Sequence, residues 1–461
     1  MTDTGHAAPH RGEEAARAAQ GREAPGRATS APQDAAALER ATTPQVAGGS
    51  DEPPERSAGG IRDLLGANRD YRRLLSAGLI SQTGDWVVST GLAYHVYVLT
   101  GSTLSSAAML LAGRLPDVLL GSAAGVLADR WDRRRLLVIA DVLLALGLLP
   151  LLAVREPGQA WIVYGVALWT GVVSTVLFPA QKALVPQIVS PAQLVRANAL
   201  HGQSGQAARL LGALAGGAAV GAGGLAAVVW IGVAGFAVSA LLLSGLRGPA
   251  RAPAATTTIG GQWVSGLRLA GTDRGVRLLV TYMVITGLGE GVFATLAAPF
   301  VAGVLDGSAD AYGLFLSAQA VGGIAGGLLI AARLGDVTPR MLFGWGTVVF
   351  GLADLALFTY PLMTRELWPA FVLIGLAGLP AAAAMAGLTT YAQTVTGGDR
   401  LGAVFGLLAS AHAATSLLGM ALAGVLGDRL GIVPMLCVHA GGLITAGSLV
   451  VAASRRSSRR P

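Results

Sequence analysis

Apolar and polar positions along this chain alternate in blocks far longer than the repeat of a soluble helix or strand. From Leu74 onward the apolar runs are Leu74 to Leu99, Leu104 to Ala128, Leu136 to Ala153, Ala160 to Leu184, Ala199 to Gly221 and Gly224 to Leu246. A polar, threonine-containing stretch from Arg247 to Gly275 interrupts the series. The second set is Val276 to Val304, Ala311 to Ala332, Met341 to Leu362, Leu367 to Val395, Leu401 to Leu426 and Val433 to Ala453. Crossing the hydrocarbon core takes about 17–25 helical residues, which nearly every run supplies. The third run is the shortest. The pattern predicts an all-α polytopic membrane protein, with about twelve transmembrane helices in two six-helix bundles.

The blocks also divide the chain. Residues 1–70 are rich in Ala, Pro, Gly, Arg and Glu and hold few large apolar side chains. Such a composition cannot bury a core, so a disordered cytosolic segment is expected there. Residues 71–246 are expected to form the first bundle, 247–275 a cytoplasmic linker, 276–454 the second bundle and 455–461 a cytoplasmic tail. No apolar run precedes Leu74, so the first helix is expected to direct insertion rather than a secretory signal.

Arginines predict the orientation. Arg72, Arg73, Arg130, Arg133, Arg134, Arg135, Arg247, Arg268, Arg277, Arg333, Arg340, Arg400, Arg455 and Arg456 fall on one side, against Arg155, Arg365 and Arg429 on the other. The arginine-rich side is the cytoplasmic one, which puts both termini inside a multi-pass cell-membrane protein.

Composition agrees. The chain is 53% hydrophobic and 13% charged, whereas soluble domains carry about 25% charged residues. The net charge of +7 would suit nucleic acid, but the arginines lie between apolar runs, so no nucleic-acid partner is expected. The single cysteine, Cys437, excludes an intrachain disulfide and a multi-cysteine metal site. His95, His201, His412 and His439 follow no metal-ligand spacing, and packing or helix-end roles are expected for them.

After the second run the chain reads Gly125-Val126-Leu127-Ala128-Asp129-Arg130-Trp131-Asp132-Arg133-Arg134-Arg135. Basic residues alone would be a positive-inside stop. Gly125, Asp129 and Arg130 in register with Arg133 and Arg134 resemble the loop between helices two and three of major facilitator transporters. The resemblance implies a gate. In that family the aspartate sits at the cytoplasmic N-terminus of the eleventh helix, where free N–H groups and the dipole favour an anion by about 0.3–1 kcal/mol. Asp129 would face the chain near Leu401, and the neighbouring arginines would pair with carboxylates when the cytoplasmic side closes. The loop from Arg333 to Arg340 is a degraded counterpart.

Other segments extend the resemblance over roughly Arg69 to Ala453. Gly78 to Asp85 with Trp86, Leu99-Thr100-Gly101-Ser102, Phe178-Pro179-Ala180, Leu184-Val185-Pro186-Gln187, and Ala197-Asn198 with Arg209 are similar to the enterobactin-exporter and macrolide-efflux branch. The exporter hallmark on the fifth helix is altered: Gly212-Ala213-Leu214-Ala215-Gly216-Gly217 has Ala where Pro is expected. The basic residue that many drug–proton antiporters carry within helix four is absent, with Lys182 near that helix's cytoplasmic end instead. Ala124 to Arg130 also echoes Ala423 to Arg429. The two copies end helices on opposite sides, which a six-helix repeat does not produce, so the echo reads as coincidence.

Charges within the runs are the candidate proton or substrate groups, since an ionisable residue at the bilayer centre costs about 2.5–3.5 kcal/mol on insertion scales. Asp85 lies about 11 residues into the first run, roughly 17 Å at helical rise, and Glu290 is similarly deep in the seventh. Both runs line the central cavity in the resembled fold. Arg114 and Asp117, three apart, can neutralise each other on one helix face. Arg209 is the cation expected to partner Asp85, and Asp354 lies within the ninth run. Structural pairing remains the alternative for each.

Gly322-Gly323-Ile324-Ala325-Gly326-Gly327 lacks the Lys-Ser/Thr of a phosphate loop, which argues against ATP-driven transport. The expected function is a proton-coupled exporter of small amphipathic molecules such as drugs, siderophores or secondary metabolites. It would act as a monomer, without a cofactor, with the proton gradient as energy source. An importer or facilitator on the same fold is the alternative. A membrane enzyme would want clustered His, Asp or Glu at one face, and a sensor a folded soluble domain; neither is present in the sequence.

Overall fold

The computed structural model describes residues 64–457, except 67, 131, 191–192, 248–270, 272, 334–336 and 397–400. The expected N-terminal segment up to 63, most of the linker and the tail beyond 457 lie outside the described residues. Regular structure among the described residues is helical. The first half holds α1 (Arg69–Thr100), α2 (Thr103–Arg130), α3 (Arg133–Leu148), α4 (Ala160–Ile188) and α5 (Leu194–Ser244). The second holds α6 (Arg274–Pro299), α7 (Ala309–Arg333), α8 (Pro339–Thr359), α9 (Trp368–Val395), α10 (Leu401–Leu430) and α11 (Ile432–Ser457).

Local chemistry sets the helix ends. Asn68 caps α1, accepting from the Tyr71 N–H at 2.8 Å. Gly101 ends it at φ 64° and donates to the Tyr97 carbonyl, a left-handed closure that suits glycine. Asp132 caps α3 and Asp273 caps α6 through their side chains. Pro339 opens α8, where a missing N–H costs nothing. The last helix runs to Ser457, three residues past the expected end of the second bundle at 454.

The twelve apolar runs fall on eleven helices, because the fifth and sixth share the 51 residues of α5. Gly224, at φ 59° and ψ −153°, interrupts that helix, in a conformation reached essentially by glycine alone. The two arms return along α1: Gly216 would meet Val87, and Gly232 would meet Val88, if either carried a Cβ. Among the described residues, ten segments are long and apolar enough to cross a membrane, and one of them, Leu200–Ser244, covers both arms. α1 is outside that set, since Gln82, Thr83, Asp85, Ser89, Thr90 and His95 dilute its hydropathy. Its packing explains the tolerance: α1 is sheathed along its length by α5.

Within the second half α6 packs on α10 and α11, while α8 packs on α9 and α11, and α7 on α9. The halves meet mainly through two helix pairs, α2 with α10 and α5 with α7, with lesser contacts of α1 on α6 and α7 and of α2 on α6. Gly217 and Gly313 make the second contact possible, since a Cβ on either would lie within about 3.1 Å of the other's backbone. Small residues drive this approach where lipid gives apolar packing no advantage. Large side chains such as Trp161, Trp230 and Leu241 remain exposed on the outside, as lipid-facing surface would.

Candidate functional site

Two ends of the bundle frame the site. One, here the terminal end, holds the start of α1, the ends of α4 and α5 and the start of α6. The other, the distal end, holds the turns joining α1 to α2 and α10 to α11. Asp85 and Glu290 lie between them at matching heights, each the seventeenth residue of its helix. Asp85 is half-buried on α1, whereas Glu290 is exposed on an α6 whose adjoining residues Gly289 and Gly291 are buried. The Glu290 charge reaches Arg209 of α5, Asp354 of α8 and His412 of α10, which sets it among helices of both halves.

Arg209 reaches the same level from α5. Its Nη2 donates to Gln319 Oε1 of α7 at 2.5 Å, and its guanidinium stacks 5.3 Å from the centre of the Trp86 ring. Its Nε is buried without a hydrogen-bond partner. Glu290 and Tyr312 act on it electrostatically. The side chain therefore ties α1, α5 and α7 together and joins the two halves. A guanidinium on an indole face gains about 0.5–2 kcal/mol, more as water is excluded.

The expected Asp85–Arg209 pair is not what the geometry brings together. The cation whose charge reaches Asp85 is Arg114 of α2, and Arg209 is engaged by Gln319 and Trp86. Arg114 and Asp117 do form the expected ion pair, Nη1 to Oδ2 at 3.9 Å, with side chains 67% and 46% exposed. Thr175 of α4 donates to the other Asp117 oxygen at 2.9 Å. Exposed pairs of this kind contribute about 0–1 kcal/mol, so this one orients side chains more than it stabilises the fold.

The gate residues divide. The surroundings of Gly125 and the side chains of Asp129 and Arg130 lie outside the described residues, although α2 remains helical through Arg130. Arg134 donates to the Ser244 carbonyl at the end of α5, within its own half. Arg133 is buried. In the second half Arg340 lies 5.4 Å from the Tyr391 ring centre.

One acid and one pairing lie beyond what sequence reasoning found. Asp141, 1% exposed on α3, accepts from Ser81 Oγ of α1 at 3.0 Å. A lone acid in the apolar run from Leu136 to Ala153 was the available signal. Asp354 of α8 and His439 of α11 form a buried pair at 3.1 Å. Both residues stand out in the sequence, but 85 positions separate them and no local pattern links them. The pair is near Glu290: that acid acts electrostatically on Asp354, and the His439 Nδ1 abuts Gly289. His412 of α10 also lies within electrostatic reach of Glu290. Among the described residues, no group of three or more His, Cys, Asp or Glu could hold a metal ion.

The family model described as transmembrane secretion effector matches residues 67–458. The chain is similar to the uncharacterized MFS-type transporter YfiS of Bacillus subtilis (strain 168), with 26% identity over 427 residues, covering 86% of this chain and 97% of that protein. It is 25% identical over 373 residues to the multidrug efflux pump Tap of Mycolicibacterium fortuitum, covering 78% of this chain and 89% of Tap. Among solved structures, a point mutant of the nucleoside transporter NupG shares the fold at a TM-score of 0.68 and 14% identity, covering 83% of this chain and 99% of that one.

Proposed function

Given that the chain belongs to the transmembrane secretion effector family of MFS-type transporters, we propose that it is a secondary active exporter of small amphipathic molecules, driven by the proton gradient. Membership makes the chain a multi-pass membrane transporter rather than an enzyme. The finer reading rests on one observation: Asp85 and Glu290 stand at matching heights on α1 and α6, with Arg209 reaching the same layer from α5. Two acids and a cation in one layer can exchange a proton against a substrate. Desolvation makes the neutral form of a carboxylic acid accessible, and a neighbouring cation pulls the proton off again when the acid is freed. The Trp86 ring supplies apolar surface beside these charges, which suits an amphipathic molecule.

Export is supported by the likeness to the efflux pump Tap. In this reading the terminal end is cytoplasmic and the distal end faces out, as the arginine distribution favours. Asp129 gates the cytoplasmic side at the start of α10, and the cell membrane houses the protein as a monomer. The test is counterflow in proteoliposomes under an imposed pH gradient, screened across drug-like and siderophore-like compounds. Accumulation that collapses with the gradient carries the proposal. Transport that ignores the gradient for every substrate found replaces it with a facilitator on the same fold.

A further inference from the structure

At the distal end α10 finishes against the beginning of α2. Asp428, in the last turn of α10, accepts from the Thr103 N–H at 3.0 Å and from Ser102 Oγ at 3.1 Å. Thr103 in turn donates through its hydroxyl to the Gly424 carbonyl at 3.2 Å, in buried surroundings. The Asp428 carboxylate thus caps a helix of the other half, at the place where free N–H groups and the dipole favour an anion. Two glycines let the helices come this close: a Cβ on Gly424 would strike Ala107, and one on Gly427 would lie 2.7 Å from the Thr103 hydroxyl. Other ties between the halves flank the cap. The Tyr94 hydroxyl donates to the Gly307 carbonyl at 3.0 Å, and the Tyr97 ring covers Gly303.

These contacts also change the meaning of the repeated segment. Ala423-Gly424-Val425-Leu426-Gly427-Asp428-Arg429 ends α10 at the distal end, and Ala124-Gly125-Val126-Leu127-Ala128-Asp129-Arg130 ends α2 at the terminal end. The two helices run antiparallel, as the pairing of Thr103 with Asp428 requires. Each copy therefore finishes one helix at the end of the bundle where the other helix starts. The expectation of coincidence is replaced by reciprocity between an antiparallel pair, which a comparison of six-helix halves does not reveal.

We propose that Asp428 is a positioning residue of the transport cycle: its carboxylate latches α10 onto the start of α2 and holds the distal mouth closed. The latch must break when the halves part at that end, so its strength sets the share of molecules open there. This rests on the alternating-access reading above, but its test reads conformation directly and needs no transported molecule. Failure of the substrate screen and failure of the latch are therefore separate outcomes.

The test uses the full chain in detergent with Cys437→Ala and nitroxide labels at Val98→Cys and Met363→Cys. These positions are 58% and 93% exposed, on opposite halves at the distal end. Asp428→Asn should raise the long-distance population at least threefold over the background protein, and Asp428→Glu should recover at least half of that change. Arg429→Gln removes an adjacent exposed charge and should leave the distribution as it was. An unchanged distribution in Asp428→Asn overturns the proposal, as does an equal shift in Arg429→Gln. If Asp428→Asn does not assemble, Ser102→Ala with Thr103→Val removes both hydroxyl contacts but keeps the Thr103 N–H bond, and it must raise the long-distance population in the same direction, by a smaller factor, for the latch to stand.

Discussion

The Oδ2 of Asp354 and the Nε2 of His439 lie 3.1 Å apart, with side chains only 2% and 3% exposed. Phe293 stacks on the imidazole and Phe358 meets it edge-on. The remaining polar atoms, Asp354 Oδ1 and His439 Nδ1, have no hydrogen-bond partner. Such a pair is costly to break, because either survivor is left buried and alone. Asp354→Ala or His439→Ala should each lower stability by about 3 kcal/mol. Replacing both by apolar residues of similar volume should recover most of the loss. Thermal unfolding of the four proteins in detergent closes the cycle; additive single losses would show that the two do not act as a pair.

Asp85→Asn and Glu290→Gln separate coupling from structure. If either acid carries the proton, its neutral mimic should abolish pH-driven accumulation while substrate exchange at equal pH continues. A purely structural acid gives less protein with coupling intact. Retention of full pH-driven transport by both variants would eliminate the two acids as the coupling site.

Arg209→Lys keeps the charge and gives up the planar stack on Trp86 and the guanidinium geometry toward Gln319. The loss of about 1–2 kcal/mol should reduce substrate affinity or turnover roughly tenfold, with expression unchanged. Uptake kinetics alongside the melting temperature decide it; a lower melting temperature with normal kinetics would make Arg209 a structural tie only.

Asp129→Asn should leave the fold intact and weaken closure of the terminal end, by about 1 kcal/mol for the lost interaction with the α10 dipole. Thiol accessibility of positions on both sides of the cavity reports it. Wild-type accessibility on both sides would remove Asp129 from the gate.

Much of the fold was legible because lipid imposes a simple rule: each crossing needs a long apolar run, and the runs could be read off directly. α1 shows where the rule weakens. Two of its polar residues, Gln82 and Thr90, lie against the α5 glycines Gly205 and Gly216, a tertiary fact that hydropathy does not carry. The individual acids were equally visible, since each interrupts an apolar stretch. Their partners were not. Arg209 pairs with Gln319 rather than Asp85 because α5 crosses to α7 at that height, and Asp354 meets His439 only through the packing of α8 on α11. The Asp428 cap was hidden for a similar reason: a repeat across antiparallel helices has no fixed sequence offset.

The glycine reversal inside α5 has a practical side. With Gly224 at φ 59° as the pivot and helix on both flanks, the chain turns back on itself without presenting a loop. The exposed tip is only Gly221, Ala222 and Gly223, a short target for an antibody, a protease or a glycosylation tag, and an inserted reporter would splay both arms away from α1. Sidedness mapping by epitope insertion should therefore pass over this crossing and use the turn around Met363, where the side chain is 93% exposed.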